Sequence, residues 1–370
     1  MLIIPLLLSL LPTLGLASPS PQLGTSPWGP TVSATMLRFG CHQLVIDRID
    51  PLVNPGSLPS PHLHQIVGGD AFNTSMPADT DISSLAKCTT CSYSEDLSNY
   101  WTANLYFRAR NGSYKRVPQI PNRLLFGDDF TTKTEGGFVV YYVSGGIGDV
   151  TAFKPGFRML VGDAGRREGV GMRNQTCFRC YNGPDWGGDD IAPCVDDQVD
   201  FEGLPPKMCW GIRSNVLYPT CWDGRNLDSP DHKSHVAYPV SGPHTFTGLG
   251  TGEECPKSHP VRIPQLMLEI VWDTSRFNHP NEWPEDGSQP FVLSTGDTTG
   301  YGQHGDYIFG WKGDSLQRAM DGVCFGANCH VLKSQSLEGA KRCSVPSRVG
   351  EEVNGWLGSL PGNPEIWERK

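Results

Sequence analysis

The chain has 370 residues, 19% of them charged and 10% aromatic, which excludes a disordered acidic chain and leaves ample material for a core. Its 43 glycines and 31 prolines follow no collagen-like period; they disfavour a helical bundle and favour short strands joined by tight turns. A formal net charge of −9 provides no basic stripe for phosphates and argues against nucleic acid as a main partner.

Residues 1–17 carry no charged side chain, are almost wholly apolar and end in Gly15-Leu16-Ala17. They read as a secretory signal cleaved near Ala17. An uncleaved membrane anchor ranks second, because the run is short and broken by Pro5 and Pro12. Residues 18–35 are Pro/Ser-rich and expected to be flexible. A single β-rich domain is expected over 36–345, with a C-terminal tail over 346–370. No later segment is apolar and long enough to span a bilayer, so no membrane association is expected after cleavage.

All twelve cysteines follow the signal. An even count in an exported chain implies up to six disulfides, with the connectivity left open. Cys88-Thr89-Thr90-Cys91 and Cys177-Phe178-Arg179-Cys180 have zinc-like spacing, but oxidation competes with metal in an exported protein. N-glycosylation sequons at Asn73, Asn111 and Asn174 suit a surface exposed outside the cell.

A strand is predicted over Tyr100–Phe107, ahead of the hairpin turn Asn111-Gly112. Gly137–Val143 is β-branched and aromatic throughout. In Leu266–Asp273 the residues Leu266, Leu268, Ile270 and Trp272 share a core face, and Met267, Glu269, Val271 and Asp273 share one expected at a surface or cleft. Tyr307, Phe309 and Trp311 share another face. One helix is predicted from Asp314 or Ser315, with Leu316, Ala319, Met320 and Val323 at helical spacing and Gly322 at its end. Residues 181–205 and 222–260 read as loops. The predicted fold is all-β: an antiparallel β-sandwich or jelly-roll-like core with long disulfide-pinned loops and one or two short helices.

Three histidine motifs stand out. His62-Leu63-His64 on a strand places two imidazoles on one face roughly 6.5–7 Å apart, suited to two ligands of one metal that still needs a third. Asp228, Asp231, His232, His235 and Tyr238 crowd a polar, Pro-bounded loop, where acids can fix imidazole tautomers or merely hold Asx turns. His304 lies among Gly296, Gly300, Gly302 and Gly305, with Asp306 two residues on, so that a ligand can approach without steric block. Arg48 is read as a structural partner of Asp50. No GxSxG, HExxH or P-loop occurs. Glu269 and Asp273 share a strand face but lie about 13 Å apart, too far to form a glycosidase pair by themselves.

The ordered set Arg48-Ile49-Asp50-Pro51, Pro55-Gly56, His62-Leu63-His64, Gly68-Gly69, Phe72, Cys88-Thr89-Thr90-Cys91, Ser98-Asn99-Tyr100-Trp101, Asp228–His235 and Gly300–Tyr307 resembles the fungal secreted family called domain of unknown function 1996, over roughly residues 48–322. The resemblance implies export from a fungal cell and leaves the chemistry open. Three readings follow. The first is a secreted polysaccharide-active hydrolase or lyase acting on cell-wall glycans. In elimination His235 or His304 abstracts the proton, Tyr238 or Tyr301 protonates the leaving oxygen, and Arg262 or Gln303 neutralises a uronate. In hydrolysis Asp231 and Glu269 are the candidate carboxylates, and His232, Asp306 and Trp101 would contact substrate. The second is a non-catalytic glycan-binding protein of the cell wall. The third is a metal site built on His62 and His64 with a later His or Asp; a divalent metal is the one candidate cofactor.

Overall fold

The β-branched and aromatic runs assemble into strands that hydrogen-bond mainly antiparallel. The structure, a computed structural model, describes residues 35–120, 136–144, 150–171, 175–183, 193–243, 254–322 and 324–368. The predicted signal and most of the Pro/Ser-rich segment lie outside the described residues, as do Asn174 and Val323. Among the described residues no helix is long and apolar enough to cross a membrane.

One large sheet dominates. Its strands run in the order Asp200–Phe201, Thr176–Tyr181, Gly211–Leu217, Gln265–Trp272, Gly137–Val143, Met36–Asp47, His64–Gly68, Asn99–Ala103, His304–Ile308 and Arg158–Gly162. The sheet curls, so that residues from both of its halves share one core. Phe39, Tyr100, Tyr142 and Tyr307 pack in the same buried cluster as Val216, Tyr218, Leu266 and Leu268. The closure is tight at Gly305: a Cβ there would meet the Tyr218 hydroxyl at 2.8 Å and Val216 at 3.0 Å. The predicted all-β antiparallel class holds, and a single curled sheet supplies both walls of the core. Two small sheets, of three and four strands, complete it.

Leu266, Leu268, Ile270 and Trp272 face the main core as expected. The opposite face is buried too, contrary to the surface or cleft expected for it. Met267 lies in a second apolar cluster. Glu269 receives the Tyr141 hydroxyl at 3.2 Å and lies between Arg38 (3.7 Å) and Arg213 (3.8 Å). A carboxylate is tolerated there because those cations and the phenol replace the water it loses.

The run predicted as one strand breaks at Asn104. Asn99–Ala103 joins the large sheet, whereas Leu105–Arg108 turns through Asn111-Gly112 to pair with Tyr114–Arg116. Gly112 has a φ of +83°, which the turn requires and a Cβ would resist. The predicted helix spans Ser315–Asp321, with Asp314 at its start, Gly322 at its end, and Leu316, Ala319 and Met320 buried. Two shorter helices span Ile82–Leu85 and Leu337–Lys341.

All twelve cysteines pair: Cys41–Cys91, Cys88–Cys343, Cys177–Cys194, Cys180–Cys209, Cys221–Cys255 and Cys324–Cys329. Both CxxC pairs send their members to separate partners, and three bridges tie the predicted loop regions. Residues 346–368 are part of the body and not a free tail. Trp356–Leu357 pairs with Tyr114–Arg116, Leu360 is buried, and Thr298 bonds the Trp367 carbonyl. Asn73 and Asn111 are exposed.

Candidate metal centre

The large sheet brings two of the three histidine motifs together. His64 opens the His64–Gly68 strand and pairs with Ala103. Asp306 pairs with Trp101 on the other side of the same Asn99–Ala103 strand. Carrying that register two residues further sets His304 beside Ala103, and the period-2 alternation puts His64, His304 and Asp306 on one face. The residue between the two histidines has only a methyl group. Their imidazoles therefore lean over it until the ring centroids are 5.7 Å apart. His62, in the bend just before the strand, sets its ring centroid 4.2 Å from that of His64, tilted, and 5.1 Å from that of His304, edge to face. The HxH spacing thus joins the rings, with His62 ahead of the strand and not on it.

The main chain sets the tautomers. His64 Nδ1 lies 3.1 Å from the Ile49 carbonyl, and His304 Nδ1 lies 3.0 Å from the Gly302 carbonyl. A carbonyl only accepts, so both Nδ1 atoms carry the proton and both Nε2 atoms present lone pairs. The His64 Nε2 is buried with no hydrogen-bond partner. The His62 and His304 Nε2 atoms are 3.2 Å apart, and one ligand atom from each of the three rings lies within 4.8 Å of the others. Two nitrogens at about 2.1 Å from a tetrahedral ion are about 3.4 Å apart, so the His62–His304 contact, a hydrogen bond at 3.2 Å, is also close to the spacing of two ligands on one cation. Burial holds His62 well below the usual imidazole range, with the neighbouring rings adding to the effect. Burial lowers His64 to about 4, against the opposing pull of Asp50. Burial lowers His304 as well. All three are neutral near pH 7, the form that ligates metal.

Asp306 is fully buried, and neither carboxylate oxygen has a hydrogen-bond partner. One of them lies 3.9 Å from His304 Nε2. Burial first, and then Asp50, push this carboxyl well above its ordinary range. An unpaired buried acid costs stability unless a cation neutralises it. The lone pair of His64 fits a divalent ion held among the three rings, and Asp306, beside His304, lies near enough to contribute negative charge.

Further residues build the centre. Asp297 accepts from the Thr299 and Gly302 amides at 2.8 and 2.7 Å, holding the loop whose Gly302 carbonyl orients His304. Arg48 pairs with Glu351 at 2.7 Å and donates to the Ser60 carbonyl, steadying the turn that leads to His62. It does not pair with Asp50, which instead caps the Leu52 and Val53 amides. Neither Asp297 nor Glu351 carries a sequence signal as a site residue; each is one acid among many.

The remaining predicted residues are not drawn into the cluster by their own side chains. His235 is buried, with Nδ1 on the Ser229 hydroxyl and Nε2 on the Arg158 carbonyl, both at 2.8 Å, so neither nitrogen is free to take a proton from substrate. Asp231 accepts from the Ser229 and Ser234 hydroxyls and the Lys233 and Ser234 amides, which hold its carboxyl far below the usual range. It is the knot of an Asx turn. His232 bonds Asp228 at 2.7 Å. The Tyr238 hydroxyl donates to the Leu217 carbonyl. Glu269 is enclosed by its arginines, as described. Trp101 is fully buried edge-on to Phe72 and presents no face to a sugar. Tyr301 is half-buried against Gly169 and Gly203. Gln303 is buried beside His304, and Arg262 lies in a short strand paired to Cys221.

Cys41, Cys91 and Asp96 also converge, but both sulfurs are joined in a disulfide. A cavity of about 820 Å³ includes Arg108, Arg110 and Glu368 in its wall and none of the predicted site residues, and its arginines are paired with Glu368 and Glu285.

A family model described as Domain of unknown function (DUF1996) matches residues 50–311, well over half of the chain, and the chain belongs to that family. The match spans all three clustered histidines and Asp306. No curated protein and no solved structure matches the chain.

Proposed function

We propose that this member of the DUF1996 family is an exported metalloprotein whose His62–His64–His304 centre takes a divalent cation, zinc by ligand type, and serves hydrolysis of an extracellular polysaccharide. One observation carries the reading: a buried, partnerless His64 Nε2 grouped with two further imidazoles, with an unpaired Asp306 carboxyl group 3.9 Å from His304 Nε2. Six disulfides support the extracellular setting. Imidazole nitrogen suits zinc, copper, nickel and iron, and three histidines leave a coordination position for water or substrate. When bound, the cation supplies Lewis acidity and lowers the pKa of a coordinated water. Asp306 is placed to balance its charge, and half-buried His62 marks the side open to solvent. Among the glycan chemistries, elimination through His235 has less support, since both of its ring nitrogens are engaged.

Two measurements test the reading. Protein stripped with chelator and reloaded should hold one zinc per chain by elemental analysis; a clearly substoichiometric content overturns the metal centre. Zinc-loaded and stripped samples are then compared on fungal and plant wall polysaccharides. New reducing ends only in the loaded sample support hydrolysis. An unsaturated-uronate absorbance, or retention without product, overturns it.

A further inference from the structure

The Asp228–His235 motif remains unexplained if its acids and imidazoles are all engaged within the loop. What the loop does is deliver a lysine. It docks on the edge strand Arg158–Gly162: His235 bonds the Arg158 carbonyl, Asp228 lies 3.8 Å from the Arg158 guanidinium, and the His232 carbonyl accepts from the Leu160 amide at 3.0 Å. His232 holds a φ of +55°, which turns the chain there, and Asp231 gathers the amides of Lys233 and Ser234. The Lys233 ammonium is thereby set 2.5 Å from the Gly162 carbonyl. Gly162 is the backbone partner of His304. Its φ is +82°, and a Cβ there would meet the Gln303 carbonyl oxygen at 2.2 Å, so a glycine is required for this approach.

Lys233 is half-buried, and its bond to Gly162 sets its charge on the strand that pairs with His304 and Asp306. A second cation, Arg167, acts on His62 and donates to the Ala164 and Arg166 carbonyls. A protein of net charge −9 thus places two cations around a site that already suits a metal ion.

Resting on the metal reading above, we propose that the centre recognises an oxyanion, a carboxylate or phosphate group of the substrate, which bridges the cation and the Lys233 ammonium. An ammonium with one donor on a carbonyl keeps two for such a group. The substrate class is then an acidic polysaccharide or a phosphate-bearing glycan, and not a neutral glucan.

The test uses the full chain loaded with cobalt(II), freed of excess ion, and titrated separately with galacturonate and inorganic phosphate. Visible absorption reports the cobalt site. Either anion should shift the bands. Lys233→Met should weaken that anion roughly tenfold or more, and Lys233→Arg should restore most of it. The anion with the tighter response identifies the source, carboxylate or phosphate. Equal anion affinity in wild type and Lys233→Met, or no anion response, overturns the inference while leaving the metal centre standing. A chain that takes up no cobalt overturns the metal reading and this inference with it. Circular dichroism of both variants must match wild type, and Lys233→Gln replaces Lys233→Met if that variant is unfolded.

Discussion

The His62–His64–His304 cluster and the Asp228–His235 loop contain the same residue types and meet through Gly162, yet they are opposite in chemistry. In the loop His235 has a partner on both ring nitrogens and Asp231 accepts four hydrogen bonds. In the cluster the main chain takes one nitrogen of His64 and one of His304, and leaves the other facing inward. A histidine whose hydrogen bonds are complete is a strut. One held by a single carbonyl, with its second nitrogen buried and bare, suits the proposed ion.

The sharpest break of this contrast is a paired substitution. His304→Ala should weaken zinc by at least roughly 100-fold, whereas His235→Ala should leave zinc affinity unchanged and lower stability by about 1–3 kcal/mol, read by competitive chelator titration and urea unfolding. Zinc loss in both, or in neither, would erase the distinction.

The two buried acids extend it. Asp96 has donors, the Ser98 amide and the Tyr100 hydroxyl, and burial still raises it to about 7. Its folded value lies above its unfolded one, so the folded state holds the proton more tightly. Stability should therefore fall as pH rises from about 4 to about 7, by up to about 4 kcal/mol, and then level off. Asp96→Asn should flatten that slope in denaturant titrations without changing zinc affinity. Asp306→Asn should do the reverse where zinc is concerned, weakening it roughly tenfold or more.

A smaller wedge tests the geometry. Ala103→Leu should push the His64 and His304 rings apart, costing about 1–3 kcal/mol of stability and lowering zinc affinity in the same sample. Unchanged affinity would mean that the rings do not need the gap over Ala103. The mildest change is Asp297→Asn, which replaces an acceptor of the Gly302 amide. Zinc affinity should drop about tenfold, the usual size of an outer-shell effect, with little change in unfolding midpoint.

Much of this was legible along the chain. The alternation in Leu266–Asp273 and the run Gly137–Val143 stated strands, and glycine spacing around His304 marked a closely approached backbone. His62, His64, His304 and Asp306 were all candidates, although His304 and Asp306 were first placed with substrate and proton transfer. What misled was local richness. Asp231, His232 and His235 are dense in sequence because they satisfy one another, and Trp101 looked like a sugar platform although it is fully buried under Phe72. Glu269 is expected at a surface because its strand alternates, but that face is covered as well, Met267 clustering with Cys194 and Leu217 and Glu269 lying between two arginines.

By itself, the order of residues determined the elements, the disulfide count and the glycine-flanked histidines, because turn chemistry, side-chain period and steric permission act over a few neighbours. Only the tertiary structure decided that His64 keeps a bare Nε2 while His304 turns its Nε2 to His62. That depends on the carbonyls of Ile49 and Gly302, on the strand register that sets Ala103 between two rings, and on a sheet that seals them from water. Such partners come from backbone positions far apart in the chain, where side-chain identity carries no trace of them.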